Sequence, residues 1–130
     1  MKNIEVVAGI IINNKKVFCC QRGNKGPLAF KWEFPGGKIE IGETHIVALK
    51  RELKEELNIS VQVGKLLTTI QHQYDTFHLI MHCYYVTIDG GKIDLIEHND
   101  SKWCLVHELS RLDWAEADIP IVELLEAINL

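Results

Sequence analysis

Three glutamates carry the first suggestion of chemistry. Glu52 precedes Glu55 by three residues and Glu56 by four, within the segment RELKEEL. On a helix those spacings bring all three carboxylates to one side of the cylinder. Like charges so placed cost a helix a few tenths of a kcal/mol per pair unless a cation sits among them. A divalent ion such as Mg2+ takes oxygen ligands, engages few carboxylates and keeps places for water and for substrate phosphates. The cluster therefore points to metal-assisted chemistry on a phosphorylated substrate. The plain alternative is a solvated helix face paired with Lys50, Arg51 and Lys54. The glutamates alone leave both readings open, although Arg51 and Glu55, four residues apart, form a pair that orders the face in either case.

Elements able to position the carboxylates follow from the flanking sequence. Thr44 is a suitable N-cap, and from there Ile46, Leu49, Leu53 and Leu57 form one apolar stripe at helical spacing. The glutamates occupy an adjoining arc about 100° wide, so they flank the core rather than face open water. Asn58 stands where a left-handed residue ends a helix. Upstream, Pro35-Gly36-Gly37 combines a fixed φ with two residues lacking side chains, which lets a bare carbonyl approach a metal. Strand patterns cover Ile4–Ile12 and Val17–Gln21, joined through Asn13 to Lys16 as a hairpin, and then Val61–Tyr74 and Phe77–Ile88. Arg22 to Lys31 reads as a loop, and Lys25 and Lys31 as its solvated charges. Asp89-Gly90-Gly91-Lys92 reads as a turn, Ile93 to Ser101 as irregular, Trp103–Val106 as a short strand and Ile119–Asn129 as a helix with Val122, Leu125 and Ile128 inward. Strands outnumber helices, which implies a mixed sheet with two helices packed on it.

Composition narrows the class. A chain of 130 residues, 47% hydrophobic and 25% charged, suits a single domain spanning 1–130. The net charge of -4 opposes a broad surface for polymeric nucleic acid. No apolar run approaches the roughly 18 residues of a membrane span, and no signal-peptide pattern is present, so a cytoplasmic location without membrane contact is expected. The four cysteines lack CxxC spacing and are expected as reduced thiols near the core. His78 and His82 fall on one face of a strand and are expected as partly buried polar side chains rather than ligands.

The acidic segment resembles the signature of the Nudix hydrolases, which runs Gly, five residues, Glu, seven residues, then Arg-Glu-aliphatic-x-Glu-Glu-x-Gly-aliphatic. This chain supplies Gly37, Glu43, Arg51, Glu52, Leu53, Glu55, Glu56 and Ile59 at the required spacings. Asn58 replaces the last glycine, a departure that touches the helix cap more than the chemistry. The Glu33-Phe34-Pro35-Gly36-Gly37-Lys38 run, an arginine before the loop, and a late Trp followed by Ala117-Asp118-Ile119-Pro120 are similar to the MutT-type branch. The resemblance implies an α/β (α+β) Nudix fold, a mixed β-sheet sandwiched between helices. It further implies hydrolysis of a nucleoside triphosphate to the monophosphate and pyrophosphate, in nucleotide-pool sanitising and DNA repair. The implied cofactor is Mg2+, with Mn2+ as a substitute, held by the Gly37 carbonyl, Glu52, Glu55, Glu56 and, outside the box, Glu97. Glu97 as an exposed loop residue is the alternative.

By the same resemblance Glu52 is the leading general base, with Glu55 and Glu56 open as others, while Glu43 and Arg51 are structural. Arg22 and Lys38 match substrate or phosphate positions, Lys38 equally a surface charge. Val6, Ala8, Tyr74 and Asp118 match the walls of the base pocket; Tyr74 is equally a core or rim residue. An ionised Asp118 only accepts hydrogen bonds and so favours a base edge with an amino group, as on cytosine, adenine or guanine. Asp here is similar to the cytidine-nucleotide relatives, which makes CTP or dCTP, beside 8-oxo-dGTP, the expected substrate types. A capping role ahead of Ile119-Pro120 is the competing reading. The remaining alternative for the whole protein is a nucleotide-binding sensor or interaction module that has lost catalysis. A monomer and a homodimer are both compatible with the sequence.

Overall fold

The computed structural model describes residues 2–128. Seven strands form the sheet: β1 Lys2–Asn13, β2 Lys16–Gln21, β3 Trp32–Glu33, β4 Gly36–Lys38, β5 Ile59–Gln73, β6 Phe77–Gly91 and β7 Asp100–Leu105. Helix α1 spans His45–Leu57 and α2 Ile119–Ile128, with short 3₁₀ turns at Val106–Arg111 and Glu116–Asp118. The sheet is mixed, as expected. β1 runs parallel to β6 along Lys2–Ile11, antiparallel to β4 through Val6–Ala8, and meets β2 at its far end. β5 lies outside β6, while β3 and β7 flank β2.

Alternation along β1 sorts the core into two layers. Ala8 and Ile10, with Met81 and Cys83 of β6, face the layer that holds α2 through Ile121, Val122 and Leu125. Val7 and Ile11, with Val86 of β6, face α1 through Ala48, Leu49, Leu53 and Leu57. Gly9 belongs to the α1 face, and a Cβ there would stand 3.3–3.6 Å from Val86, Leu49 and Leu53, so its absence lets the helix settle on the strand. Each fully buried leucine of α1 contributes about 2 kcal/mol of apolar burial. Thr44 caps α1 by accepting from the Val47 N–H at 3.2 Å, and Asn58 ends it at φ 57°, as the sequence implies.

Several boundaries differ from expectation. Ile46 is 46% exposed, although His45 beside it lies against His82 and Tyr84 of β6. Gly90 and Gly91 do not turn; they continue β6 and pair with Ser60 and Ile59. The last short strand begins at Asp100 and ends before Val106, which opens a 3₁₀ turn. Ile128 is exposed while Ile121 is buried, and Asn129 lies outside the described residues. All four cysteines are buried free thiols. Among the described residues, no helix is long and apolar enough to cross a membrane.

Candidate active site

With Leu49, Leu53 and Leu57 turned into the core, the next face of α1 falls against β4. Glu52 and Glu56 are nearly enclosed there, with side chains 14% and 9% exposed, whereas Glu55 is 58% exposed. A Cβ at Gly37 would land on the Glu52 carboxylate, and one at Gly36 on the backbone of Val7 and Ala8. The two glycines are thus required by close approach, on one side to the acid and on the other to β1.

Arg51 ties the loop to the helix. Its Nε and Nη2 donate to the two oxygens of Glu43 at 2.7 and 2.8 Å, a bidentate pair, and Nη2 also donates to the Lys38 carbonyl at 3.0 Å. Nη1 reaches Glu52 Oε1 at 2.9 Å and Glu55 Oε2 at 3.3 Å. The expected pair with Glu55 is present, yet the shorter contacts go to Glu43 and Glu52. The Arg51 hydrogen bonds draw the Glu43 carboxyl down to about 2. Glu43 and Arg51 form a brace that holds Glu52 in one orientation.

Glu56 sits in the opposite condition. Burial, the adjacent Glu52, and the charges of Glu33 and Glu97 push its carboxyl up to about 9, and its Oε2 has no hydrogen-bond partner. His98 Nε2 lies 3.8 Å from that oxygen and 2.9 Å from Glu33 Oε2, and Arg22 Nη1 donates to the other Glu33 oxygen at 3.0 Å. A buried carboxylate oxygen without a donor, next to a second enclosed carboxylate, fits a hard dication, whose ligands are oxygens. Cys20 also approaches Glu33 and His98, but burial holds its thiol protonated, which makes it a poor ligand.

These groups open onto a cavity of about 730 Å³, bordered by Arg22, Lys38, Glu56 and Glu97 at the acidic end. Its floor is Val6 and Ala8 of β1, and its far wall is Tyr74, Phe34 and Asp118. Tyr74 stacks on Phe77 with centroids 5.0 Å apart, and its hydroxyl accepts from the Ala117 N–H at 3.2 Å. Asp118 is 5% exposed, and its Oδ2 accepts from the Phe34 N–H at 3.0 Å. Among the described residues, no bond joins it to the first turn of α2, so the capping reading gives way to an anchor on the pocket wall. Burial pushes the Asp118 carboxyl up to about 8, opposed by the Phe34 N–H and assisted by the charge of Glu33.

The structure brings Val6, Ala8, Arg22, Gly37, Lys38, Glu56, Tyr74, Glu97 and Asp118 around one cavity, whereas Glu43, Arg51, Glu52 and Glu55 do not line it, Glu52 standing behind Gly37. Glu33 and His98 are additional members. Glu33 stands within the Glu33–Lys38 run and is conspicuous only once Arg22 and His98 are seen on it. His98 neighbours Glu97, and nothing in its spacing distinguishes it, because its partner lies 65 residues away.

A mixed sheet with core on both faces and an acidic, arginine-braced helix seated against a glycine pair is the arrangement that the sequence resemblance implies. The sequence model of the NUDIX domain matches residues 3–125. The CTP pyrophosphohydrolase of Escherichia coli K12 is 38% identical over 129 residues, covering 99% of this chain and 96% of that protein. The 8-oxo-dGTP diphosphatase of the same organism is 32% identical, covering 98% and 100%. The solution structure of the E. coli ORF135 protein superposes with a TM-score of 0.85 at 36% identity, covering 98% of this chain and 91% of that one. The chain belongs to the Nudix family of hydrolases.

Proposed function

We propose that this protein, acting as a single domain over residues 1–130, hydrolyses a nucleoside triphosphate to the monophosphate and pyrophosphate at a Mg2+ centre. Cytidine nucleotides and oxidised guanine nucleotides are its substrate types, a reading supported by two relatives named for such activities. The observation that carries it is the seating of Glu52 against Gly37 beside the donorless oxygen of Glu56, at the mouth of a cavity walled by Asp118.

The Gly37 carbonyl, Glu52 and Glu56 would hold the metal, with Glu97 on the lining of the same cavity; Glu55, exposed and paired with Arg51, would have to turn inward to join them. When bound, the dication neutralises the triphosphate and acidifies the attacking water. Arg51 occupies Oε1 of Glu52, which leaves Oε2 to accept the proton from that water. Attack on the β-phosphorus breaks its bond to the oxygen bridging from the α-phosphorus; the nucleoside monophosphate leaves with that oxygen, and the water oxygen remains in pyrophosphate. Arg22 and Lys38 offset charge on the phosphates, Arg22 being held in position by Glu33. At the other end the base lies over Val6 and Ala8 and beside Tyr74. Oδ2 of Asp118 is engaged by Phe34, so its second oxygen meets the base edge. Ionised, that oxygen accepts from an amino group; protonated, it donates to a carbonyl or ring nitrogen, which widens the range to oxidised purines.

The test is pyrophosphate release across canonical and oxidised triphosphates with and without Mg2+. Mg2+-dependent turnover is expected, with Glu52→Gln lowering kcat by about 10²–10⁴-fold. Binding across the panel without turnover would defeat the enzyme reading in favour of a sensor.

A further inference from the structure

On the α1 side of the sheet, away from the nucleotide cavity, Glu5, His45 and His82 converge. Glu5 and His82 come from the parallel strands β1 and β6, where Val7 pairs with His82, and His45 is the first residue of α1. One ligand atom from each lies within 4.8 Å of the other two. His82 Nε2 is 2.6 Å from Glu5 Oε2, and the two imidazoles stack with centroids 4.0 Å apart. We infer that these three side chains form a binding site for a divalent transition-metal ion of the Zn2+ class, separate from the reaction centre.

The donor set selects the ion. Two imidazole nitrogens and one carboxylate suit Zn2+ far better than Mg2+, which prefers oxygen. The second nitrogens are also provided for. Thr69 Oγ1 is 3.0 Å from His82 Nδ1, and the Tyr84 hydroxyl is 2.8 Å from His45 Nδ1. Without an ion, His82 Nε2–H donates to Glu5; on binding, that proton leaves to solvent, and with a hydroxyl accepting from each Nδ1–H each Nε2 then presents its lone pair, which is how outer partners fix the tautomer of a metal-ligating histidine. Glu5 supplies the anionic ligand, and water completes a tetrahedron. Binding requires the stacked rings to tilt until their lone pairs converge. His45, half-buried at the start of a helix, has the freedom to make that adjustment. A simple ion pair accounts for His82 with Glu5 but gives no part to His45 or to the two hydroxyls.

The site is distinct from the catalytic carboxylates, since seven helical residues place His45 roughly 10 Å from Glu52 along α1. An ion here would add a link between the start of the acidic helix and the two central strands, beside the Tyr84 bond of His45 and where Ile46 is exposed.

Equilibrium dialysis of the full chain against Zn2+ in a large excess of Mg2+ tests the inference. About one Zn2+ per chain is expected, retained in Glu52→Gln and His98→Ala and lost in His45→Ala and His82→Ala. Thr69→Val and Tyr84→Phe are expected to weaken binding about 10–100-fold. Co2+ in place of Zn2+ gives a visible spectrum that disappears in the same two histidine variants. Should His82→Ala fail to fold by circular dichroism, His45→Ala, at the surface of a helix end, carries the test. Zn2+ that persists in His45→Ala, that is lost in His98→Ala instead, or that never binds overturns the site. None of those outcomes touches Mg2+-dependent turnover, which His45→Ala retains.

Discussion

Replacing Asp118 with Asn tests whether the buried acid on the pocket wall is neutral at physiological pH. The amide oxygen keeps the bond from the Phe34 N–H, so shape and anchor are preserved while the titrating group is removed. Burial raises the carboxyl from 3.8 to about 8 in the folded chain. Between those values the folded state holds a proton that the unfolded state releases, so the wild type loses stability as pH rises from about 4 to 8. Each unit corresponds to about 1.4 kcal/mol, which gives an order of 4 kcal/mol at pH 7, and Asn escapes this loss. Thermal unfolding of both proteins from pH 4.5 to 8.5 is the assay. The two Tm values are expected to approach each other at the acid end, with Asp118→Asn increasingly the more stable toward pH 8. A Tm difference that does not change with pH, or a variant less stable at pH 8, refutes the neutral acid. Steady-state kinetics on the same pair reads recognition, because Asn fixes one donor and one acceptor where Asp118 interconverts. A shift in relative kcat/KM between cytidine and oxidised guanine triphosphates is expected, with kcat for the preferred substrate little changed.

Other perturbations address the acidic end. Gly37→Ala drives a methyl into the Glu52 carboxylate and is expected to lower kcat by about 10²-fold with modest loss of Tm, since an ångström of displacement at a reacting group has that effect. Arg51→Lys retains the charge but not the fork to Glu43, so half-saturating Mg2+ is expected to rise in a metal titration of the rate. Acid unfolding checks the same brace: stability drawn from Glu43 is present above about 4.5 and lost as pH falls toward about 2, a loss that Glu43→Gln removes from the pH profile. Asn58→Ala puts an unsuited residue at φ 57° and is expected to lower stability by about 1 kcal/mol, measured by urea denaturation, with kcat unchanged.

What was legible in the sequence was local. Thr44, the three leucines and Asn58 give α1 its ends and its inward face through contacts a few residues apart, and the box spacing then dictates which glutamates lie together. Ile46 escapes the pattern because periodicity specifies a face but not which of its positions another element covers. Gly90 and Gly91 resemble a turn because their backbone freedom is local information, whereas their pairing with Ile59 and Ser60 is a property of the whole ladder. The same limit hides Glu33 with His98, Asp118 with Phe34, and Glu5 with His82, pairs separated by 65, 84 and 77 residues. The enclosure of Asp118 was beyond reach for a related reason: composition gives the group, and only its burial against Phe34 gives its surroundings.

The division of β1 into two faces has a consequence for how such a protein diversifies. Val6 and Ala8 line the cavity in which we propose the base lies, while Val7 and Ile11, one step out of phase, pack under the helix that carries the carboxylates, Val7 also touching the cavity. On that reading, substitutions at Val6 and Ala8 act on selectivity and one at Ile11 on the seating of α1, although the residues are near neighbours in the chain. Tyr74 and Asp118 come from elements that carry none of the α1 acids. If the proposed function holds, a lineage of such chains is free to change its choice of nucleotide by small steps while the acidic helix stays in place.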